Sequence, residues 1–161
     1  MPDKHSKEQR RYNMQQIRSR GTKPEQRLGE LLRTIFPDQE LTEHPKDLPG
    51  KPDWYLPGLR LAVFSDGCFF HKCPKHFIMP ENNIAYWEPK LAHNKIRDRQ
   101  ANAALKAFGL QPVRIWEHDL RKDLTNARRE LRFAVSRHKS TVAREEPHSQ
   151  KPEQEDSHAD H

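Results

Sequence analysis

Behind Thr22 the apolar residues Leu28, Leu31, Leu32 and Ile35 recur at i, i+3, i+4 and i+7, which predicts a helix with one buried face. Thr22-Lys-Pro-Glu25 marks its start as a capping box, with Pro24 placed where a missing N–H costs little. Ser6-Lys-Glu-Gln9 has the same form and opens a polar helix expected to run to about Arg20. Only Tyr12, Met14 and Ile17 are apolar there, so this helix is expected to order on a partner.

The pattern then changes period. Short strands are predicted over roughly 40–44, 52–56 and 59–65, with Pro57-Gly58 as a tight hairpin turn. Leu61–Phe64 is nearly all apolar, as a central strand requires. A helix from about Pro89 to Phe108 stops at Gly109, "VRIW" (113–116) is a further strand, and Thr125–Arg137 is a last helix. Beyond about Lys139 the chain is rich in Pro, Ser, Glu and His and is expected to be disordered. The order α-α-β-β-β-α-β-α predicts a central sheet flanked by helices.

Charge narrows the function. The chain has 161 residues, enough for one domain, and a formal net charge of +6. Residues 140–161 hold six acidic and two basic side chains, which leaves +10 on residues 1–139. Such a balance suits a polyanion better than a small neutral ligand. With no apolar run long enough to span a membrane and no secretory leader pattern, the chain is expected to be cytoplasmic. In a reducing compartment Cys68 and Cys73, the only cysteines, favour metal ligation over a disulfide.

The stretch "DGCFFHKCPKHF" (66–77) concentrates the chemistry. Cys68, Cys73 and His76 place three zinc-type ligands within nine residues, and His118, just past the fourth strand, is the best fourth candidate. The competing reading is two free buried cysteines. His71 lies between the cysteines as either a further ligand or an idle surface histidine; if zinc takes the other four, it is free to act as a general base near neutral pH. Asp53 and Asp66 lie near the ends of adjacent strands and could share a hard cation such as Mg²⁺, although "GKPDW" also reads as an ordinary turn. Glu25 reads first as a helix cap. Phe69, Phe70 and Trp87 fit either a core or a wedge between bases, since Lys72, Lys75, Lys90, Lys95, Arg97 and Arg99 surround them.

"TKPE" (22–25), "GKPDWYL" (50–56), "FSDGCFFHKCPKH" (64–76), "YWEPKLAHNKIRDR" (86–99) and "IWEH" (115–118) together resemble the very short patch repair (Vsr) DNA mismatch endonucleases. The resemblance implies an α/β restriction-endonuclease-like PD-(D/E)XK fold, a central mixed sheet flanked by helices with a structural zinc site. It implies a DNA nickase that cuts 5′ of the thymine in T·G mismatches left by 5-methylcytosine deamination. Carried over by position, Asp53 and the Ser65 carbonyl hold catalytic Mg²⁺, His71 is the catalytic histidine, and Glu25 and Asp66 complete the active site. Cys68, Cys73, His76 and His118 take the structural Zn²⁺. Phe69, Phe70 and Trp87 intercalate, Met14 lies on a clamping helix within residues 1–20, and Lys90, Asn94 and Arg97 also contact DNA. Residues 21–139 would be the endonuclease domain and 140–161 an acidic tail. The expected partner is mismatched double-stranded DNA bound by a monomer, with other DNA repair proteins as further candidates. Two departures stand out: Ser65-Asp66 replaces the family's Thr-His, and Phe70 replaces a tryptophan. Rival readings are a nickase for another mismatch or sequence, and a non-catalytic zinc-containing DNA-binding module.

Overall fold

A computed structural model describes residues 6–16 and 20–145. The elements follow the expected order: α1 (Lys7–Gln16), α2 (Lys23–Ile35), β1 (Thr42–Glu43), β2 (Trp54–Leu56), β3 (Leu61–Asp66), α3 (Ile84–Ala107), β4 (Gln111–Trp116) and α4 (Thr125–Glu145). They form one mixed sheet in the order β1-β2-β3-β4, with β1, β2 and β3 antiparallel in turn and β4 parallel to β3. Parallel neighbours need a long crossover, and α3 supplies it.

Side-chain alternation along β3 divides the molecule. Leu61 and Val63 join Leu28, Leu31 and Leu32 of α2 and Leu131 of α4 in the larger core. Ala62 and Phe64 face the other way, onto Leu105 and Leu110 at the end of α3 and just beyond it. Helices thus cover both faces of the sheet. The α2 face is locked by Trp54, whose indole N–H donates to the Glu25 carbonyl at 2.9 Å while its ring lies against Gly29.

Several boundaries depart from the sequence pattern. Pro57–Leu59 forms a short 3-10 turn rather than a tight hairpin turn, followed by Arg60 at φ 51°. The Arg60 guanidinium donates to the Phe108 and Gly109 carbonyls, an anchor that offsets the strained backbone. Strand β3 runs one residue further than expected because Asp66 pairs with Trp116. Pro112 is tolerated in β4 because that strand is a sheet edge. Helix α3 begins at Ile84, five residues before the expected Pro89, which now lies inside it. Ring packing by Tyr86 and Trp87 holds this first turn despite the missing N–H of Pro89. Helix α4 continues to Glu145, so the tail expected from residue 140 is helical over its first six residues. The side chain of Met14 and residues 17–19 and 146–161 lie outside the described residues. Among the described residues no helix is long and apolar enough to cross a membrane.

A Cβ added at Gly29 would sit 2.4 Å from the Trp54 ring. Gly29→Ala is therefore expected to destabilise the fold by about 1–3 kcal/mol through overpacking, despite alanine's better helix propensity, as urea denaturation would show.

Candidate active site

The carboxyl end of β3 opens into a cleft of about 750 Å³ lined by Glu25, His44, Asp53, Ser65, Asp66, His71, Asp98 and Arg114, with Arg20, Lys46, Lys51 and Arg97 among the bases around it. The alternation that splits the core also splits this cleft. Ser65 projects to the α2 side and Asp66 to the α3 side, so two clusters of ionisable groups meet at one strand end.

On the α2 side, Asp53 Oδ2 accepts from the Ser65 backbone N–H at 2.7 Å and from the Ser65 hydroxyl at 3.1 Å. The backbone N–H of Asp53 donates to the Val63 carbonyl and its carbonyl accepts from the His44 N–H, which fixes the residue beside β3. Burial, helped by the negative charge of Glu25, pushes the Asp53 carboxyl up to about 6 against the pull of its bonds from Ser65. The Thr22 hydroxyl accepts from the Glu25 N–H at 3.4 Å, the N-cap half of the expected capping box, while the Glu25 carboxylate reaches back further: Oε1 accepts from the Thr22 hydroxyl at 3.1 Å and Oε2 from the Gly21 N–H at 2.6 Å. His44 Nε2 lies 3.3 Å from Glu25 Oε2. One ligand atom from each of Glu25, His44 and Asp53 falls within 4.8 Å of the others, a donor set able to hold a cation.

On the α3 side, His71 Nδ1 is 2.6 Å from Asp98 Oδ2, and His71 Nε2 is 3.9 Å from Asp66 Oδ1. Asp66 is only 4% exposed, and burial raises its pKa against the opposing influence of His71 and Arg114. Arg114 Nη1 reaches both Asp66 Oδ1 at 2.9 Å and Asp98 Oδ1 at 3.4 Å.

The segment after β3 wraps back on itself through Cys73 N–H to Cys68 carbonyl and His71 N–H to Gly67 carbonyl bonds, with Lys72 at φ 51°. This turn brings Cys68, Cys73, His76 and His118 together, with one ligand atom of each within 4.8 Å of the rest. His118 Nδ1 lies 3.2 Å from Cys68 Sγ and 3.6 Å from Cys73 Sγ, and His76 Nδ1 lies 3.7 Å from Cys73 Sγ. Ligands on a tetrahedral zinc sit about 3.5–3.8 Å apart, so the four residues fit the ion expected for them. Burial pushes the Cys68 thiol up to about 11. His118 Nε2 faces Asp119 Oδ1 at 3.5 Å, and Asn126 donates to the same oxygen.

Phe69, Phe70 and Trp87 belong to neither core cluster. They are half-buried and pack on one another: Phe69 meets Phe70 edge-on at 5.3 Å and Trp87 at 5.0 Å. Lys90 lies over the Trp87 ring and Lys72 over Phe77, which keeps this aromatic surface in a positive field. Asn94 donates to the Phe70 carbonyl at 3.1 Å, so its amide braces the loop. Arg97 lines the cleft.

The pattern of the sequence left His44, Asp98 and Arg114 unremarked. Arg114 carried a readable signal, because a charge between two apolar positions of a strand demands a partner. Asp98, in a basic helix run, and His44, in a loop, carried none.

A carboxylate–imidazole cleft lies beside four clustered Cys and His side chains in a basic α/β domain, an arrangement compatible with hydrolysis of a nucleic acid. Comparison with known proteins names the family. Residues 2–76 match the family model described as DNA mismatch endonuclease Vsr. The chain is 40% identical over 121 residues, 74% of its length and 88% of the relative's, to the type II nicking enzyme V.XorIIP of Xanthomonas oryzae pv. oryzae. It is 39% identical to the type II nicking enzyme V.NaeI of Lentzea aerocolonigenes, over 73% of each chain. It is 35% identical to the DNA mismatch endonuclease Vsr of Escherichia coli, over 75% of this chain and 77% of that one. The chain belongs to the Vsr DNA mismatch endonuclease family.

Because the folded Asp53 carboxyl titrates near 6, above its unfolded value, its contribution to stability is present in acid and lost as pH rises through about 6. Asp53→Asn, with zinc retained and no Mg²⁺ added, is therefore expected to melt higher than the parent at pH 7.5 and nearly equally at pH 4, measured by thermal denaturation without chelator.

Proposed function

We propose that the protein nicks one strand of duplex DNA 5′ of the thymine in a T·G mismatch, the product of 5-methylcytosine deamination, and so begins very short patch repair. The observation that carries this reading is the convergence of Asp53, Ser65 and His71 on one cleft in a chain of this family. We assign the core to the PD-(D/E)XK type, with Asp53 following Pro52 ahead of β2.

Asp53 and the Ser65 carbonyl offer hard oxygen ligands of the kind Mg²⁺ prefers. A cation held there would supply Lewis-acid polarisation of the scissile phosphate and stabilise charge on the leaving oxygen. The Ser65 N–H and hydroxyl hold one Asp53 oxygen and so set the direction of the other. Glu25, fixed by its cap bonds, adds negative charge beside Asp53. His71 is the general base: Asp98 accepts from its Nδ1–H and leaves Nε2 to take a proton from water. The water oxygen bonds to phosphorus, its proton passing to His71, as the bond to the 3′-oxygen breaks; the 3′-oxygen takes a proton from solvent water, and His71 returns its own to solvent. The products are a 5′-phosphate and a 3′-hydroxyl.

Zinc on Cys68, Cys73, His76 and His118 is structural in this reading, since four protein ligands fill the tetrahedron. Phe69, Phe70 and Trp87 are the wedge, inserted where mispairing has already weakened stacking. Lys90 and Arg97 hold the backbone, Asn94 braces the wedge, and α1 with Met14 clamps the duplex as a separate arm on the endonuclease domain. The protein acts in the cytoplasm as a monomer.

Purified protein is expected to hold one zinc per chain by elemental analysis. Cys73→Ser should lose both the zinc and the folded state, because ligation and folding are coupled; metal-free wild type with full stability overturns the four-ligand site.

A panel of T·G, other mismatched and fully paired duplexes tests the function directly. Mg²⁺-dependent nicking 5′ of the mismatched thymine is expected, and Asp53→Ala should bind the T·G duplex without cutting it. Phe70→Ala should weaken binding to mismatched DNA by about 1–3 kcal/mol, the worth of one base–aromatic stack, and paired DNA much less. Preference for a different mismatch would reassign specificity within the family; binding with no cleavage would support a non-catalytic module.

A further inference from the structure

Arg114 stands near the middle of β4 with its guanidinium 4.2 Å over the Phe64 ring and its Nε donating to Asn102 Oδ1 at 3.1 Å. Nothing about this placement suits a surface arginine. Its Nη1 reaches Asp66 Oδ1 at 2.9 Å and Asp98 Oδ1 at 3.4 Å. The other oxygen of Asp98 is the one 2.6 Å from His71 Nδ1. A single guanidinium therefore holds the far oxygen of the carboxylate whose near oxygen orients the imidazole.

Asp66 makes this restraint matter. It is buried, and its Oδ1 lies 3.9 Å from His71 Nε2, the nitrogen left to face the reacting water. A buried carboxylate without a counter-charge seeks the nearest donor, and here that donor is the imidazole. His71 would then be caught between Asp98 on one nitrogen and Asp66 on the other, with no lone pair for water. Arg114 satisfies Asp66 first.

We propose that Arg114 is a positioning residue of the nuclease site: by bridging Asp66 and Asp98 it keeps His71 oriented by Asp98 and free of Asp66. This rests on the reading of His71 as the base. Asp66 is on this account the partner of Arg114 and does not itself touch the reacting atoms. The arrangement ties the chemistry to the β3–β4 ladder, because Asp66 and Arg114 are carried by strands registered through Phe64↔Arg114 and Asp66↔Trp116.

The test uses full-length, zinc-loaded protein on a T·G duplex, at a temperature where circular dichroism shows every variant folded. Arg114→Met is expected to lose roughly 10–100-fold in kcat, as displaced catalytic groups do, with KM within about twofold of wild type. Arg114→Lys keeps one charge but cannot reach two carboxylates in a fixed plane, and should fall between. Adding Asp66→Asn to Arg114→Met should recover most of the lost kcat, because the competing carboxylate is gone. The ¹⁵N spectrum of His71 should report the Nδ1–H tautomer in wild type and in the double variant, and its loss in Arg114→Met. A folded Arg114→Met with wild-type kcat overturns the proposal, as does a loss that Asp66→Asn leaves unrelieved. His71→Ala separates the two layers: if it still cuts at the normal rate, the base assignment itself fails.

Discussion

Everything at the cleft depends on β3, the inner strand whose side chains enter a core on each face of the sheet. All six of its residues pair parallel with β4 on one edge, and Leu61, Ala62 and Val63 pair antiparallel with β2 on the other. Apolar burial on both sides makes a register slip very costly, since shifting by one residue would exchange the two cores. Ser65 and Asp66 therefore emerge at a fixed height and on opposite sides. From that strand end, hydrogen bonds to Val63 and Ser65 hold Asp53, and an ion pair with Asp66 holds Arg114.

The site combines two kinds of rigidity. On the α2 side it comes from neutral packing and helix capping: Trp54 ties α2 to β2, and the capping box of the same helix fixes Glu25. On the α3 side it comes from charge. Buried Asp66 and half-buried His71, Asp98 and Arg114 form a network in which each group limits the choices of the next. Such networks gain in a low-dielectric setting only when every member is matched, and removal of one forces the others to rearrange. The first kind sets position; the second sets which atom faces the substrate.

The loop from Gly67 to Phe77 joins the Cys/His cluster, the cleft and the aromatic surface. The turn that gathers Cys68 and Cys73 also sets His71 against Asp98 and exposes the edge of the Phe69–Phe70–Trp87 cluster. A metal ion held by the Cys and His side chains at its base would add order to this segment, which is a physical reason for candidate ligands, imidazole and aromatic rings to share eleven residues.

Local patterns in the sequence determined much of this. Helical periodicity at Leu28–Ile35, the Thr22 cap and the apolar run of β3 were readable because each is written in adjacent or regularly spaced residues. The four soft ligands were legible for the same reason, three of them lying in one turn. What only the tertiary structure decided are the contacts between distant segments. His44 reaches Glu25 across 19 positions of sequence, and Arg114 reaches Asp66 across 48. Helix α3 starts before Pro89 because rings from a separate loop pack on its first turn. Whether Phe69 and Phe70 were core or surface was likewise undecidable from their order, since an aromatic pair in a loop has no period. A charge's role depends on which opposite charge the fold brings beside it, and no local pattern encodes that.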